Sequence, residues 1–146
     1  MSGFWRMWFV VWCASIGLFG AVLSGGAFEA TSGPVRLVLS ALRGPSEVAF
    51  DPTLRFSLAV MGAVSIGWAV MLFAVIGAAI DLGDKGRPLW NAISAGMVSW
   101  FAIDSALSVA TGFGLNVVPN MALAGMYVVG LLGSGAMGSG ASKQTG

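Results

Sequence analysis

Residues 88–110 read PLWNAISAGMVSWFAIDSALSVA, a stretch whose only charged side chain is the carboxylate of Asp104. Trp100, Asp104 and Ser108 follow one another at intervals of four, so they share one face of a helix. An ionisable side chain inside an apolar helix is costly, and it must face a partner, water or a protein interior. Asp104 is therefore the first candidate for a functional or structural site.

The composition of the chain is typical of a membrane protein. Of its 146 residues, 57% are hydrophobic and 9% are charged, whereas a soluble domain carries about 25% charged residues. The length suits a single domain over residues 1–137, followed by a flexible Gly/Ser tail over 138–146. The net charge of +1, without any basic run, argues against a nucleic-acid partner.

Charged residues divide the chain into four apolar segments. The first contains 22 residues, which reach roughly 33 Å as a helix, enough for a hydrocarbon core of about 30 Å. The sequence therefore predicts an all-α integral membrane protein with a bundle of four transmembrane helices. The predicted spans cover residues 7–28, 56–80, 88–110 and 119–137.

Turn and capping residues mark the limits of these helices. Asp51 followed by Pro52 predicts an N-cap and a first helical position at the start of the second span. Pro88 and Pro119 predict the same first position for the third and fourth spans. The polar Gly83–Gly86 segment predicts a tight turn between the second and third spans.

The connection between the first two spans is long enough to hold a helix of its own. From Pro34 onward, Arg36 and Arg43 fall on one side of such a helix and apolar residues on another. This pattern predicts a short interfacial helix over residues 34–43, with both arginines directed to lipid head groups. A helix packed over the mouth of the bundle explains the pattern equally well.

The first span is expected to stay in the mature protein. Small residues at Gly25-Gly26-Ala27 would also suit cleavage of a signal peptide, but the apolar run is longer than the usual 7–15 residues. Basic residues then predict the orientation by the positive-inside rule, which places both termini in the cytoplasm of a bacterial inner membrane. Arg6, Lys85, Arg87 and Lys143 lie on one side of the four predicted spans, and Arg36, Arg43 and Arg55 on the other.

Small residues at intervals of four predict where the helices pack closely, because helices in lipid associate through small side chains. We expect these residues to lie at helix contacts within the bundle or between protomers. They are Gly17 and Ala21 in the first span, Ala59, Ala63 and Gly67 in the second, and Ala92 and Gly96 in the third.

Topology predicts a partner for Asp104. The carboxylate lies about 24 Å along the third span, roughly a turn from the far boundary of the membrane. Arg55 begins the second span at that same boundary, so we expect an ion pair or a water-bridged contact, with Arg36 or Arg43 as substitutes. A structural pair is favoured over a protonatable carboxylate in a cavity, although Asp104, Arg55 and Ser108 would also suit a polar entrance.

Missing residue types narrow the chemistry. The chain has no histidine and only Cys13, so a Ser-His-Asp hydrolase, haem ligation by histidine and an internal disulfide are excluded. No catalytic, metal or cofactor residue is predicted. The expected role is non-enzymatic: an accessory, scaffold or assembly subunit that contacts the lipid bilayer and either itself or another membrane protein.

Two other roles remain open from the sequence. One is a small oligomeric transporter or channel with its entrance at Asp104 and Arg55. The weaker one is an enzyme acting on a lipid or quinone, which would use Arg36 and Arg43 for head groups and Glu47 as the nearest general base.

Overall fold

The computed structural model describes residues 1–43 and 49–138. Within these ranges the chain is all-helical, which confirms the predicted class of secondary structure. The predicted tail lies outside the described residues except for Gly138. The helices are α1 (Gly3–Ser24), α2 (Gly33–Arg43), α3 (Pro52–Leu82), α4 (Arg87–Ala110) and α5 (Val117–Gly133).

Three stretches of the described chain are long and apolar enough to cross a membrane: Gly3–Ala27, Pro52–Ala110 and Gly114–Gly133. The middle stretch contains α3 and α4 and reverses direction between them. Gly83 adopts a φ of 55°, which ends α3, and a 3₁₀ turn over Gly83–Gly86 leads into α4. Because Trp68 lies against Trp100 with ring centroids 5.6 Å apart, α3 and α4 form an antiparallel hairpin.

Helix boundaries agree with most of the capping predictions. Asp51 caps α3 by accepting a hydrogen bond of 2.7 Å from the backbone N–H of Leu54. Pro88 lies in the first turn of α4, one residue later than predicted. Pro119 is further from its predicted place, because α5 begins two residues earlier, at Val117.

One apolar core joins α1, α3, α4 and α5. Its largest fully buried side chains, Phe9, Trp12 and Trp90, are at most 1% exposed. Trp12 also donates its ring N–H to the carbonyl of Leu123 at 3.0 Å, and Trp8 does the same to Met126. A buried indole needs such an acceptor, so these bonds tie α1 to α5 at two successive turns.

Backbone contact between α1 and α3 is closest at Gly20 and Gly62. A Cβ atom on Gly20 would lie 2.8 Å from the carbonyl oxygen of Gly62, so neither position has room for a side chain. Most of the small residues at intervals of four do not lie at contacts within the bundle, which leaves contacts between protomers as the part of the prediction that stays open. Gly17 does meet Ala69, but Ala63, Gly67, Ala92 and Gly96 are exposed.

The outward position of these residues has a geometric reason. Four residues turn an α-helix by about 40° more than a full circle, so a row at intervals of four winds away from a neighbouring helix. Alternating steps of three and four keep a contact row in place along two packed helices. The buried row of α3 follows those steps through Leu58, Gly62, Ala69, Leu72, Ile76 and Ala79.

We predict that Gly62→Ala destabilises the protein by about 1–3 kcal/mol, because the added methyl group collides with the backbone of α1. Gly67→Ala is the matched control: its Cβ meets nothing within 4 Å, and alanine favours a helix by about 0.5–1 kcal/mol over glycine. The measurement is unfolding by titration with a denaturing detergent. Equal stability of the two variants would contradict the contact.

Candidate functional site

A cluster of polar side chains surrounds Asp104 near the end of α4. The half-buried carboxylate accepts two hydrogen bonds at Oδ2, from Asn120 Nδ2 at 2.5 Å and from Asn116 Nδ2 at 2.9 Å. Asn120 is only 6% exposed, so its amide has little water available as an alternative partner. The cluster therefore gives Asp104 the polar partners that an acid in an apolar helix requires.

Two serines complete this cluster. Asn116 Nδ2 also donates to Ser108 Oγ at 2.9 Å, and Asn120 Nδ2 donates to Ser105 Oγ at 3.3 Å. Each asparagine therefore links Asp104 to one serine of the same helix. We name this set the amide clamp: Asp104, Ser105, Ser108, Asn116 and Asn120.

The chain between α4 and α5 explains how the clamp forms. Gly112 adopts a φ of 85°, which an L side chain rarely does, and the chain reverses there. A 3₁₀ turn over Gly114–Asn116 then leads into α5. Asn116 precedes α5 and Asn120 lies one helical turn further on, so their amides face the last two turns of α4.

The predicted ion pair between Arg55 and Asp104 is wrong. Arg55 instead binds Glu29 Oε2 and donates to the carbonyl oxygen of Gly26 at 3.3 Å. Neither proposed substitute replaces it, because no arginine or lysine in residues 1–43 and 49–138 lies within 4.0 Å of the Asp104 carboxylate. The helix α3 packs against α1 and the turn after it, and Glu29 beyond this turn lies beside Arg55.

Glu29 is the centre of a second polar cluster at the same end of the molecule. Its carboxylate binds Arg55 of α3 and also accepts from Arg36 of α2, at 3.0 Å and 3.1 Å to its two oxygens. The hydrogen bond from Arg55 holds the pKa of the Glu29 carboxyl below its ordinary value, and the charge of Arg36 acts in the same direction. We name Glu29, Arg36 and Arg55 the charge cluster.

Phe50 lies beside the two arginines of the charge cluster. The guanidinium carbon of Arg36 lies 4.0 Å from the centroid of this ring, and that of Arg55 lies 5.4 Å from it. Both distances suit a cation–π interaction, which holds the segment before α3 against α2.

Helix α2 covers the end of the molecule where these clusters lie. Val35 is fully buried against Leu23 and Leu58, so one face of α2 packs on α1 and α3. Arg43, at the other end of α2, lies over the ring of Phe113 at 5.6 Å, which belongs to the α4–α5 connection. These contacts favour the helix over the bundle mouth, one of the two readings left open by the sequence.

The predicted head-group residues are accordingly engaged within the protein. Arg36 binds Glu29 and donates from Nε to Ser32 Oγ at 3.1 Å, while Arg43 stacks on Phe113. Leu37, on the outer side of α2, is 72% exposed. The side of α2 that remains free is therefore partly apolar.

The chemistry available to these clusters is limited. In the described ranges, no three His, Cys, Asp or Glu side chains come together as a metal site requires. The amide clamp presents one carboxylate, two amides and two hydroxyls, and none of its members is paired with a general base. It can join two helices, or exchange a proton or a monovalent cation at the carboxylate.

Sequence reasoning found part of this arrangement. Asp104 and Ser108 lie together as predicted, and they are joined through Asn116. Glu29 was missed as a partner of Arg55, although a signal existed. It is the first acid after the first apolar segment and Arg55 immediately precedes the second, so a helical hairpin brings the two to the same end.

Comparisons with known protein families, with curated proteins and with solved structures find no match to this chain. Its function is therefore inferred from the site and the molecular surface.

We predict that Asn120→Ala destabilises the protein by about 1–3 kcal/mol, because it leaves the Asp104 carboxylate short of a donor in apolar surroundings. Asn91→Ala is the matched control, since Asn91 is exposed at the start of α4. Detergent-induced unfolding measures both. A loss no greater than that of the control would show that the clamp does not hold α4 to α5.

The charge cluster predicts a dependence of stability on pH. A carboxyl whose pKa is lowered in the folded state stabilises the fold above its unfolded pKa, and this stabilisation is lost as pH falls through the folded value. We expect wild-type protein to lose more stability than Glu29→Gln when the pH falls from 7 to below 4.5, the ordinary value for the group. Unfolding curves at a series of pH values measure the difference, and parallel pH profiles would contradict it.

Proposed function

We propose that the chain is a multi-pass membrane protein in which α1, α3, α4 and α5 each cross the bilayer. The reversal at Gly83 supports two crossings within the apolar stretch Pro52–Ala110, because its arms contain 31 and 24 residues. Each arm is longer than the roughly 20 residues that a crossing needs. The central position of Trp12 in the core supports retention of α1 in the mature protein.

This topology gives the protein a defined orientation in the membrane. Four crossings put the beginning of α1 and the end of α5 on the same side. In the sequence, the basic residues near the start of α1, around the turn between α3 and α4 and after α5 number four, and those from α2 to the start of α3 number three. Under the positive-inside rule this difference favours the cytoplasmic face of a bacterial inner membrane for both termini. The amide clamp and the charge cluster then lie at the opposite interface, with α2 along it.

We further propose that the protein is an accessory, scaffold or assembly subunit that acts through helix contacts. The observation that carries this proposal is the outer face of α4. Gly96 lies there with open space around its Cα, flanked by the exposed residues Ala92 and Ser99. The Ser99 hydroxyl makes no hydrogen bond within the described part of the chain.

The depth of Ser99 in the bilayer supports a helix contact at this surface. Ser99 lies about 18 Å along α4, near the middle of a bilayer, where a hydroxyl gains from a partner on another helix. Small residues beside it let that helix approach closely. The outer face of α3 differs, because Gly67 there is flanked by Val64 and Val70, both about two-thirds exposed at 65% and 66%. The face of α4 is therefore the surface best suited to another helix.

The internal pairing of charges agrees with this role. Arg36 and Arg55 pair with Glu29, Arg6 pairs with Asp81, and Asp104 accepts hydrogen bonds from two asparagines. The large exposed side chains along the helices are apolar, as contact with lipid or with another protein requires. Because these polar clusters fix helices to one another within the protein, we assign the proposed contact with a partner to the outer surface.

A transporter or channel is the second candidate, and one observation favours it. Asp104 is only half-buried and has no cationic partner in the described ranges, so its charge is uncompensated. A proton or a small cation arriving at the carboxylate would neutralise it. Arg55 takes no part in this version, because Glu29 holds it elsewhere.

An enzyme acting on a lipid or quinone has less support. Arg36 and Arg43 are occupied by contacts within the protein, and Glu47, its nearest general base, lies outside the described residues.

We expect Gly96→Leu to break up a specific assembly, because its side chain blocks close approach to α4. Gly67→Leu, the same change on the bulkier face of α3, should leave the assembly intact. Purification in mild detergent with mass photometry and identification of copurifying proteins tests this, whether the partner is a second copy or another membrane protein. A monomer in the wild type, or an equal effect of both variants, would contradict the proposal.

The same preparation separates the two candidate functions. Asp104→Asn keeps an oxygen acceptor for the asparagine amides, so a scaffold should retain its partner. A transporter would lose proton- or cation-coupled uptake in reconstituted vesicles, and such a loss with assembly unchanged would favour the second candidate.

A further inference from the structure

A lateral groove of about 430 Å³ opens between α1 and α3, far from the two clusters described above. Its floor consists of Phe9, Cys13 and Ile76, which are 1–3% exposed. Its rim consists of Val10 and Phe73, which are 40% and 55% exposed and face outward. The groove is therefore apolar along its length and open to the surroundings of the helices.

The two helices make this groove because their surfaces differ along their length. At one end, Gly20 and Gly62 bring the two backbones together. Towards the other end, α3 presents Gly77 and Ala78 to the groove, and a Cβ on Gly77 would meet nothing within 4 Å. Large side chains on α1 therefore face small ones on α3, and the groove lies between them.

A pair of opposite charges closes one end of the groove. Arg6 Nη2 lies 2.5 Å from Asp81 Oδ1, and both side chains line the groove. They are 52% and 67% exposed, so most of the guanidinium N–H groups and the second carboxylate oxygen remain free for another ligand. The groove thus has one positive and one negative side chain at one end and is apolar along the rest of its length.

We propose that this groove binds one phospholipid with a zwitterionic headgroup that carries a primary ammonium. The phosphate would bind Arg6, the ammonium would bind Asp81, and the proximal part of one acyl chain would lie between α1 and α3. The volume lies within the roughly 300–1,000 Å³ of ligand pockets, and the polar-to-apolar direction of the groove matches that of a lipid in its leaflet.

Charge complementarity selects the headgroup. A phosphate bound at Arg6 lies beside the Asp81 carboxylate, so an anionic lipid would bring its uncompensated charge next to another negative group. A primary ammonium on the same headgroup relieves that repulsion and donates hydrogen bonds to Asp81, which a quaternary ammonium cannot do. The inference rests on the proposed membrane placement of Arg6 and Asp81, and it does not depend on the scaffold role.

The test is native mass spectrometry of the full chain released from nanodiscs that contain equal parts of phosphatidylethanolamine, phosphatidylcholine and phosphatidylglycerol. We expect one retained lipid, with phosphatidylethanolamine favoured about fivefold over each of the other two. Asp81→Asn should abolish the preference over phosphatidylglycerol, because the ammonium loses its partner and the repulsion disappears. Asp81 is a surface group, so the variant folds as the wild type does.

A variant that fills the groove tests whether the lipid binds there. Gly77→Leu extends a side chain into the groove and should reduce the retained lipid about fivefold. Gly67→Leu makes the same change on the same helix outside the groove and should leave retention unchanged. Equal retention of the three lipids by the wild type, or equal loss in both variants, would overturn the proposal.

A change in oligomeric mass in Gly77→Leu, without loss of lipid, would assign the groove to a second copy and would also overturn it. The scaffold role is tested separately, by whether Gly96→Leu loses the partner that the wild type retains. Failure of either proposal therefore leaves the other standing.

Discussion

A carboxylate inside an apolar helix must find polar partners, and this constraint accounts for the two amides around Asp104. Asp104 accepts from Asn116 and Asn120, and Glu29 accepts from Arg36 and Arg55. Each cluster joins two consecutive helices: the amide clamp joins α4 to α5, and the charge cluster joins α2 to α3. Satisfying a polar group and fixing the arrangement of the helices are thus achieved by the same contacts.

The two ends of the molecule differ for this reason. At the end covered by α2, polar clusters and buried Val35 close the space between the helices. At the opposite end, Arg6 and Asp81 meet at the surface above the groove between α1 and α3. Between the ends, aromatic side chains such as Trp12 and Trp90 form the core. The proposed roles follow from this difference, with helix contacts along the outer face of α4 and a lipid at the open groove.

Much of the architecture was accessible to sequence reasoning, because it depends on local signals. The change from charged to apolar residues located all four long helices, and Asp51 with Pro52 located the start of α3. The proximity of Asp104 and Ser108 was also visible, since the two residues are one helical turn apart. The partner of Arg55 was not, because the sequence offered it two carboxylates: Glu29 in the connection between α1 and α2, and Asp104 in α4.

The sequence by itself determined the apolar, all-helical character of the described chain and the separation of its helices by charged and glycine-containing turns. These features follow from hydrophobicity, from capping and from the positive φ that glycine tolerates. Only the tertiary structure decided that Arg55 binds Glu29, that Asn120 holds Asp104, and which glycines meet. Those choices depend on the rotation and crossing of each helix relative to its neighbours, which set the distances between side chains far apart in sequence.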